Sequence, residues 1–303
     1  MSLKVKASTL VAVVFLSMPA YAQELTGTLK KIKDTGAITL GHRESSVPFS
    51  YYDDNQHVIG YAMDLCYRIV DAVKADLKMD KLEVSLNPVT SATRIPLIAN
   101  GTVDLECGST TNNLEREKQV SFTITHFVTA NRFVSKKSSN LKTVDDLKSN
   151  TIVSTSGTTN IKQINEIGAQ RHLDLNIIAA KDHAEAFLMV ETDRAAAFVM
   201  DDILLYSLVA TSKSPDDYVI SPDALSVEPY GIMLRREDPA FKKVVDDEMM
   251  TTYKSGAINA IYEKWFLKPI PPKGIILNVP MSAVFKKVVA NPTDTGDPAW
   301  YAQ

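Results

Sequence analysis

The sequence has little cysteine. Cys66 and Cys107 are the two in 303 residues, and no Cys/His cluster has the spacing of a zinc site, which excludes a metal-stapled fold. It lacks the glycine-rich GxxxxGK[ST] loop that cradles phosphates and the GxGxxG dinucleotide fingerprint. It also lacks the GxSxG elbow of the serine hydrolases. Internal repeats and low-complexity tracts are absent, which excludes a solenoid. There is no excess of positive charge: 33 Lys and Arg stand against 36 Asp and Glu, for a net charge of -3, and this argues against nucleic acid as a partner. No run downstream of the N-terminus is long and apolar enough to cross a membrane. In an oxidising compartment the two cysteines are either a disulfide or two buried thiols, and the sequence does not give their separation.

The N-terminus reads as a secretion signal. Lys4 and Lys6 form a basic start, Leu10 to Leu16 an apolar core, and Ala20-Tyr21-Ala22 a small-x-small cleavage site. Cleavage after Ala22 takes the net charge from -3 to -5. About 280 residues remain, enough for two modest hydrophobic cores.

From there, strands and helices alternate. Residues 37–41 read as a strand. Residues 48–52 and 57–61 flank Asp53-Asp54-Asn55-Gln56, a hairpin signal. Leu65, Cys66, Ile69, Val70, Val73 and Leu77 recur at helical spacing. A strand over 82–89, a short helix over 91–101 and a strand over 102–105 follow. Strand-loop-helix then recurs three times, with strands over 151–154, 175–180 and 195–200. Extended stretches are expected at 132–135 and 228–234, and helices at 241–253 and 257–266. The tail from Pro269 is proline-marked and carries no clear element. Alternation of this kind predicts an α/β fold with mainly parallel sheets.

One stretch organises the rest: Glu106-Cys107-Gly108-Ser109-Thr110-Thr111-Asn112-Asn113-Leu114-Glu115-Arg116. Hydroxyls gather where a strand ends. Asn112 and Glu115 have the Asn-x-x-Glu spacing of a helix start, which places Arg116 in the first turn. A guanidinium beside a helix N-terminus receives a carboxylate. In open α/β sheets ligands bind beyond the carboxyl ends of strands. Arg43, Ser91, Arg94, Ser109, Thr111 and Arg116 fall at such ends in the first half, and Thr158, Thr159, His183 and Asp201 in the second. Three arginines, hydroxyls, a histidine and an aspartate complement a small zwitterion carrying an extra negative charge. A protonated His183 would strengthen acidic ligands, with affinity then weakening as pH rises through its titration.

The blocks Gly41-His42-Arg43-Glu44-Ser45-Ser46, Glu106 through Arg116, Ser156-Gly157-Thr158-Thr159, Lys181-Asp182-His183, Met200-Asp201-Asp202 and Tyr262-Glu263-Lys264-Trp265-Phe266 run in order over nearly the whole chain. In them the chain resembles the periplasmic amino-acid-binding proteins of ABC importers, family 3 of the extracellular solute-binding proteins. The resemblance implies a two-lobed periplasmic-binding-protein fold of type II, its lobes joined by two extended hinge crossings near 125–129 and 228–231. The division is then 1–22 signal peptide, 23–127 first part of lobe 1, 128–228 lobe 2, and 229–303 second part of lobe 1 with the tail. It also implies a monomeric, periplasmic, non-enzymatic receptor without cofactor or metal. That receptor would take L-glutamate and/or L-aspartate and deliver it to an inner-membrane ABC permease. Carried over by motif, Arg116 takes the α-carboxylate with Thr111 and the Thr159 amide. Ser109, Thr111 and Asp201 take the α-ammonium; Arg43, Ser91, Arg94 and His183 take the side-chain carboxylate. Where the family often places an aromatic residue, this chain has Ser46, leaving Phe49 or Tyr61 to supply aromatic cover. Two rivals share the fold. One is a cyclohexadienyl-dehydratase-like enzyme, for which Glu44 is the one pocket-edge glutamate to nominate. The other is a soluble acidic-amino-acid sensor.

Overall fold

The computed structural model describes residues 25–302. The expected signal peptide lies outside them. The chain starts in helix α1 (Gly27–Thr35), stopped by Gly36 in the left-handed conformation, and enters β1 (Ala37–His42). The short strands β2 (Ser45–Ser46), β3 (Ser50–Tyr52) and β4 (Val58–Ile59) form a small antiparallel sheet. The turn between β3 and β4 closes because Asp53 Oδ1 accepts the backbone N–H groups of Asn55 and His57, each at 2.8 Å. Helix α2 (Tyr61–Asp76) buries Leu65, Cys66, Ile69, Val70 and Val73, the stripe its spacing predicts. Then come β5 (Glu83–Pro88), α3 (Arg94–Ala99), β6 (Leu105–Cys107) and β7 (Val120–Phe122).

The ten-residue strand β8 (Phe127–Lys136) carries the chain into the second lobe. There β9 (Thr151–Thr155), α4 (Thr159–Gln170), β10 (Asn176–Ala180), α5 (His183–Glu191), β11 (Ala197–Asp201), α6 (Asp202–Thr211) and β12 (Tyr218–Ile220) follow. The chain returns through β13 (Ser226–Tyr230), which pairs antiparallel with β8 from Ser226↔Asn131 to Tyr230↔Phe127. The two crossings therefore form one ladder. Next come β14 (Met233–Arg235), α7 (Pro239–Lys254), α8 (Ala257–Phe266) and, in the tail, α9 (Ala283–Ala290). No helix among the described residues is long and apolar enough to cross a membrane.

The sheets are more mixed than alternation predicts. The first has the order β5-β1-β6-β14-β7, and the second β10-β9-β11-β8-β12. In each, three neighbouring strands are parallel, and strands fed directly by a crossing run antiparallel to them. β14 comes from beyond the second lobe, yet it lies between β6 and β7. Lobe 1 is thus built from two separate parts of the chain. Under the crossings sits an aromatic cluster: Phe49, Tyr61, Phe127, Tyr230 and Phe266, each within 6.4 Å of another by ring centroids. Phe49 and Tyr61, expected near the ligand, are core residues with no exposure.

Two local expectations fail. Residues 102–104 are a connection, and the strand begins at Leu105. Asp104 instead reaches back to the Thr39 N–H at 2.8 Å and to Lys31 at 2.8 Å. At 112–116 no α-helix starts. Asn113, not Asn112, accepts the N–H groups of Glu115 and Arg116, and only a three-residue 3-10 turn (Arg116–Lys118) follows. Asn112 points the other way and donates to the Asp294 carbonyl at 2.7 Å. The tail is the reason for that. Residues 293–301 lie over the loop and the first crossing: the Thr125 N–H donates to the Thr293 carbonyl, and Tyr301 bonds the Thr125 hydroxyl.

Cys66 and Cys107 form a disulfide between α2 and β6, with a sequence separation of 41. It holds the strand end from which residues 108–111 depart. By the chain-entropy relation, a loop of this size is stabilised by about 4 kcal/mol. Removing both sulfurs (Cys66→Ala with Cys107→Ala) is expected to lower the unfolding free energy by about 2–4 kcal/mol. Urea denaturation of the two proteins measures it; equal midpoints and slopes would rule out this contribution.

Candidate functional site

The strand ends of both sheets meet at one interface, and the ten predicted residues lie on its two sides. Arg43 follows β1. It is 2% exposed, and its N–H donates to Ser50 Oγ at 2.9 Å. Arg94 opens α3 and is equally buried; its Nη1 donates to the Ser109 carbonyl at 3.1 Å and to Thr110 Oγ1 at 2.5 Å. Arg116 Nη1 donates to the Thr111 carbonyl at 2.7 Å. With no α-helix at 112–116, this guanidinium is held by the loop's own carbonyl and not by a helix dipole. Thr111 itself bridges to Tyr230 of β13, so the loop is tied to the second crossing.

The facing side comes from the second lobe. Thr158 caps α4, its Oγ1 accepting the Ile161 N–H at 3.3 Å, and Thr159 is the first helical residue. This helix does bring its N-terminus to the interface. The lobes are closed on each other. Arg116 Nη2 donates to the Gly157 carbonyl at 3.2 Å, Arg43 Nη2 lies 3.5 Å from His183 Nε2, and Lys162 pairs with Glu115. Gly157 sits so near lobe 1 that a Cβ there would fall 2.6 Å from Ala92 Cα.

His183 is a neutral hydrogen-bonding group here. Its Nε2 faces the obligate donor Arg43, so Nδ1 carries the proton toward Thr155 Oγ1 at 2.9 Å. Burial, with Arg43 and Arg94 beside it, holds its pKa well below the usual histidine value. The expectation of a protonated His183 is therefore overturned. Asp201, at the end of β11, does not cap α6 with its side chain. It accepts Asn160 Nδ2 at 2.7 Å and the Tyr230 hydroxyl. Burial first, and then Glu228, push its pKa up to about 7. Asp202 turns away to Arg132 at 3.1 Å. Burial and then Arg94 draw Arg43 and Arg116 each down to about 10, still charged at neutral pH.

Several buried polar atoms here lack a hydrogen-bond partner among the described residues: Arg43 Nη1, Arg94 Nε, and the Ser46, Ser91 and Ser109 hydroxyls. Buried polar groups are ordinarily paired, so a group of such atoms around one interface suits polar atoms arriving from elsewhere.

Sequence reasoning missed the acids. Glu44 is exposed, whereas Glu106 and Glu228 are buried among the arginines. Glu228 is held by Thr159 at 2.9 Å, Gln163 at 2.7 Å and Ser226. Both lie in stretches the sequence singles out, Glu106 at the head of the organising stretch, directly after the strand expected over 102–105, and Glu228 in a crossing. A carboxylate at such a position signals a buried partner.

Comparison with known proteins agrees with this architecture. Residues 38–268 match bacterial extracellular solute-binding proteins, family 3. The chain is 54% identical over 288 residues, 95% of each chain, to an L-glutamate/L-aspartate-binding protein of Pseudomonas aeruginosa. It is 44% identical, over 88% of each chain, to a glutamate/aspartate import solute-binding protein of Escherichia coli. Among solved structures, a mutant arginine-binding protein of T. maritima superposes with a TM-score of 0.70 at 27% identity, covering 78% of this chain and 98% of that one. An ancestral amino acid-binding protein, a precursor of cyclohexadienyl dehydratase, gives 0.66 at 26% identity, covering 79% and 99%. With its two α/β lobes and paired crossings, this chain belongs to the bacterial extracellular solute-binding proteins, family 3.

Proposed function

We propose that the protein is a periplasmic receptor that captures L-glutamate and/or L-aspartate between its lobes and delivers it to an inner-membrane ABC permease. The lobes are 23–127 with 229–303, and 128–228. The reading rests above all on the three buried arginines at the closed interface, two of which, Arg94 and Arg116, feel Asp201 of the other lobe. Arg116, Thr111 and the Thr159 amide take the α-carboxylate; Ser109, Thr111 and Asp201 take the ammonium. Arg43, Ser91 and Arg94, with His183 as a neutral partner, take the side-chain carboxylate. Thr158 orders the α4 N-terminus beneath the ligand. The protein works as a monomer and without catalysis. Both pocket glutamates accept hydroxyl or amide donors from the protein, an arrangement that holds them in place.

A calorimetric screen of the common amino acids tests this reading. Glutamate or aspartate is expected to bind at least about a hundredfold tighter than glutamine, a gap of about 2.7 kcal/mol. The amide NH2 would face guanidinium donors and leave their charge unmet. Comparable affinities for glutamate and glutamine would overturn it.

A pH series follows from Asp201. The ligand ammonium favours the ionised carboxylate, so binding releases a proton wherever Asp201 is protonated beforehand. Affinity is then expected to be flat above about pH 7 and to fall below it, by up to about tenfold per pH unit. A protonated His183 would give the opposite slope. Titrations between pH 5.5 and 8 decide: affinity that holds or rises on acidification would overturn this linkage of binding to Asp201 ionisation.

A further inference from the structure

We propose that Glu106 is a selectivity determinant of this site, setting its charge and, through Thr110, the position of Arg94. The inference rests on the acidic amino-acid reading above. Glu106 is fully buried on β6, between β1 and β14. Its Oε2 accepts the Thr110 hydroxyl at 2.6 Å, and Thr110 Oγ1 in turn accepts Arg94 Nη1 at 2.5 Å. The Thr110 hydroxyl has a single proton. Because it accepts from the guanidinium, it must donate to the carboxylate, so the chain Arg94–Thr110–Glu106 has one polarity. The other oxygen, Oε1, has no hydrogen-bond partner among the described residues and lies under the loop, 2.4 Å from where a Cβ on residue 108 would stand. The same Cβ would lie 3.0 Å from Arg43 Cγ, so a side chain at 108 would require the Glu106 carboxylate and Arg43 to shift.

The consequence is electrostatic. Three guanidinium groups crowded in one buried volume repel one another, and Glu106 is the lobe 1 acid among them. Its carboxylate offsets part of that positive charge from the lobe 1 side, as Asp201 and Glu228 do from the other. Asp201 and Glu228 lie on the opposite side, toward the ammonium and α4. Glu106 thus makes ligand-free closure tolerable, at the expense of some attraction for the dicarboxylate.

Glu106→Gln separates charge from shape, because its amide oxygen can still accept from Thr110. Glutamate is expected to bind about threefold or more tighter, while glutamine changes less than about twofold, so their ratio widens. Thr110→Val keeps the volume but cuts the chain. It is expected to weaken glutamate about fivefold or more and glutamine less than about twofold, with Thr110→Ser restoring the wild-type ratio. Calorimetry on the full mature chain reads both ligands, with circular dichroism checking the fold. A wild-type protein that ignores glutamate would remove the functional reading itself. A wild type that binds, with an unchanged or narrowed ratio in Glu106→Gln, would overturn the role given to Glu106. Equal losses for both ligands in Thr110→Val would overturn it as well.

Discussion

Arg116→Ala is expected to abolish acidic amino-acid binding at ordinary concentrations while leaving the protein folded. The side chain is 7% exposed and touches both lobes, Nη1 on the Thr111 carbonyl and Nη2 on the Gly157 carbonyl. It sits between the loop that is tied to the second crossing and the N-terminus of α4. A ligand α-carboxylate placed there would be a buried anion whose cation has been deleted. Removing one partner of such a pair costs about 3–5 kcal/mol, which is more than about a hundredfold in affinity. The ligand-free protein should tolerate the change, because Arg116 is itself desolvated and repelled by Arg94. Calorimetry together with thermal melting tests both halves: binding retained within about threefold would remove Arg116 from the site.

The second large effect concerns closure. Gly157 has φ +76, and a Cβ on it would stand 2.6 Å from Ala92 Cα and 2.7 Å from the Ser91 carbonyl oxygen. Backbone atoms cannot turn aside as a side chain can. Gly157→Ala therefore carries two separate penalties. The left-handed conformation costs an L-residue about 1–2 kcal/mol in every state of the protein. The contact with Ala92 arises only when the lobes close, and overpacking of this kind costs about 1–3 kcal/mol. Only the second penalty weakens ligand, by about 5- to 150-fold. Solution scattering should find the saturated variant larger than saturated wild type. A variant that closes and binds as wild type does would show that the lobes can rest further apart than they do here.

Much of this architecture was legible in the sequence. Helix α2 appeared because its apolar residues keep one phase over four turns. The three strand-loop-helix units of lobe 2 appeared because each strand is a short apolar run with polar residues directly after it. The candidate residues followed from their places at those strand ends. What failed had physical causes. The helix expected at 112 lost to the tail, whose Asp294 carbonyl takes the Asn112 side chain while Gly296 N–H bonds Glu117 at 2.7 Å. Such a contact, between residues far apart in the chain, leaves no local pattern. His183 reads as chargeable from the sequence because neither its burial nor the approach of Arg43 from the other lobe has a signature near position 183. Nothing local singles out Glu106 and Glu228, since burial of a polar residue is decided by packing and not by its neighbours in sequence.

The position of β14 bears on how the chain reaches its native state. Leu105 pairs with Leu234 across an entire intervening lobe, and Met233 also pairs with Phe122. The second lobe is one continuous segment and can close its sheet from contacts within itself. The first must keep a gap between β6 and β7 until the chain has gone out and come back. Pairings that span such distances are slow to form, because loop closure must precede any gain from contact. Lobe 2 is thus the natural early folding unit and lobe 1 the late one. The strand that completes lobe 1 is also the one that follows the second crossing, so the hinge is in place by the time the late lobe is finished.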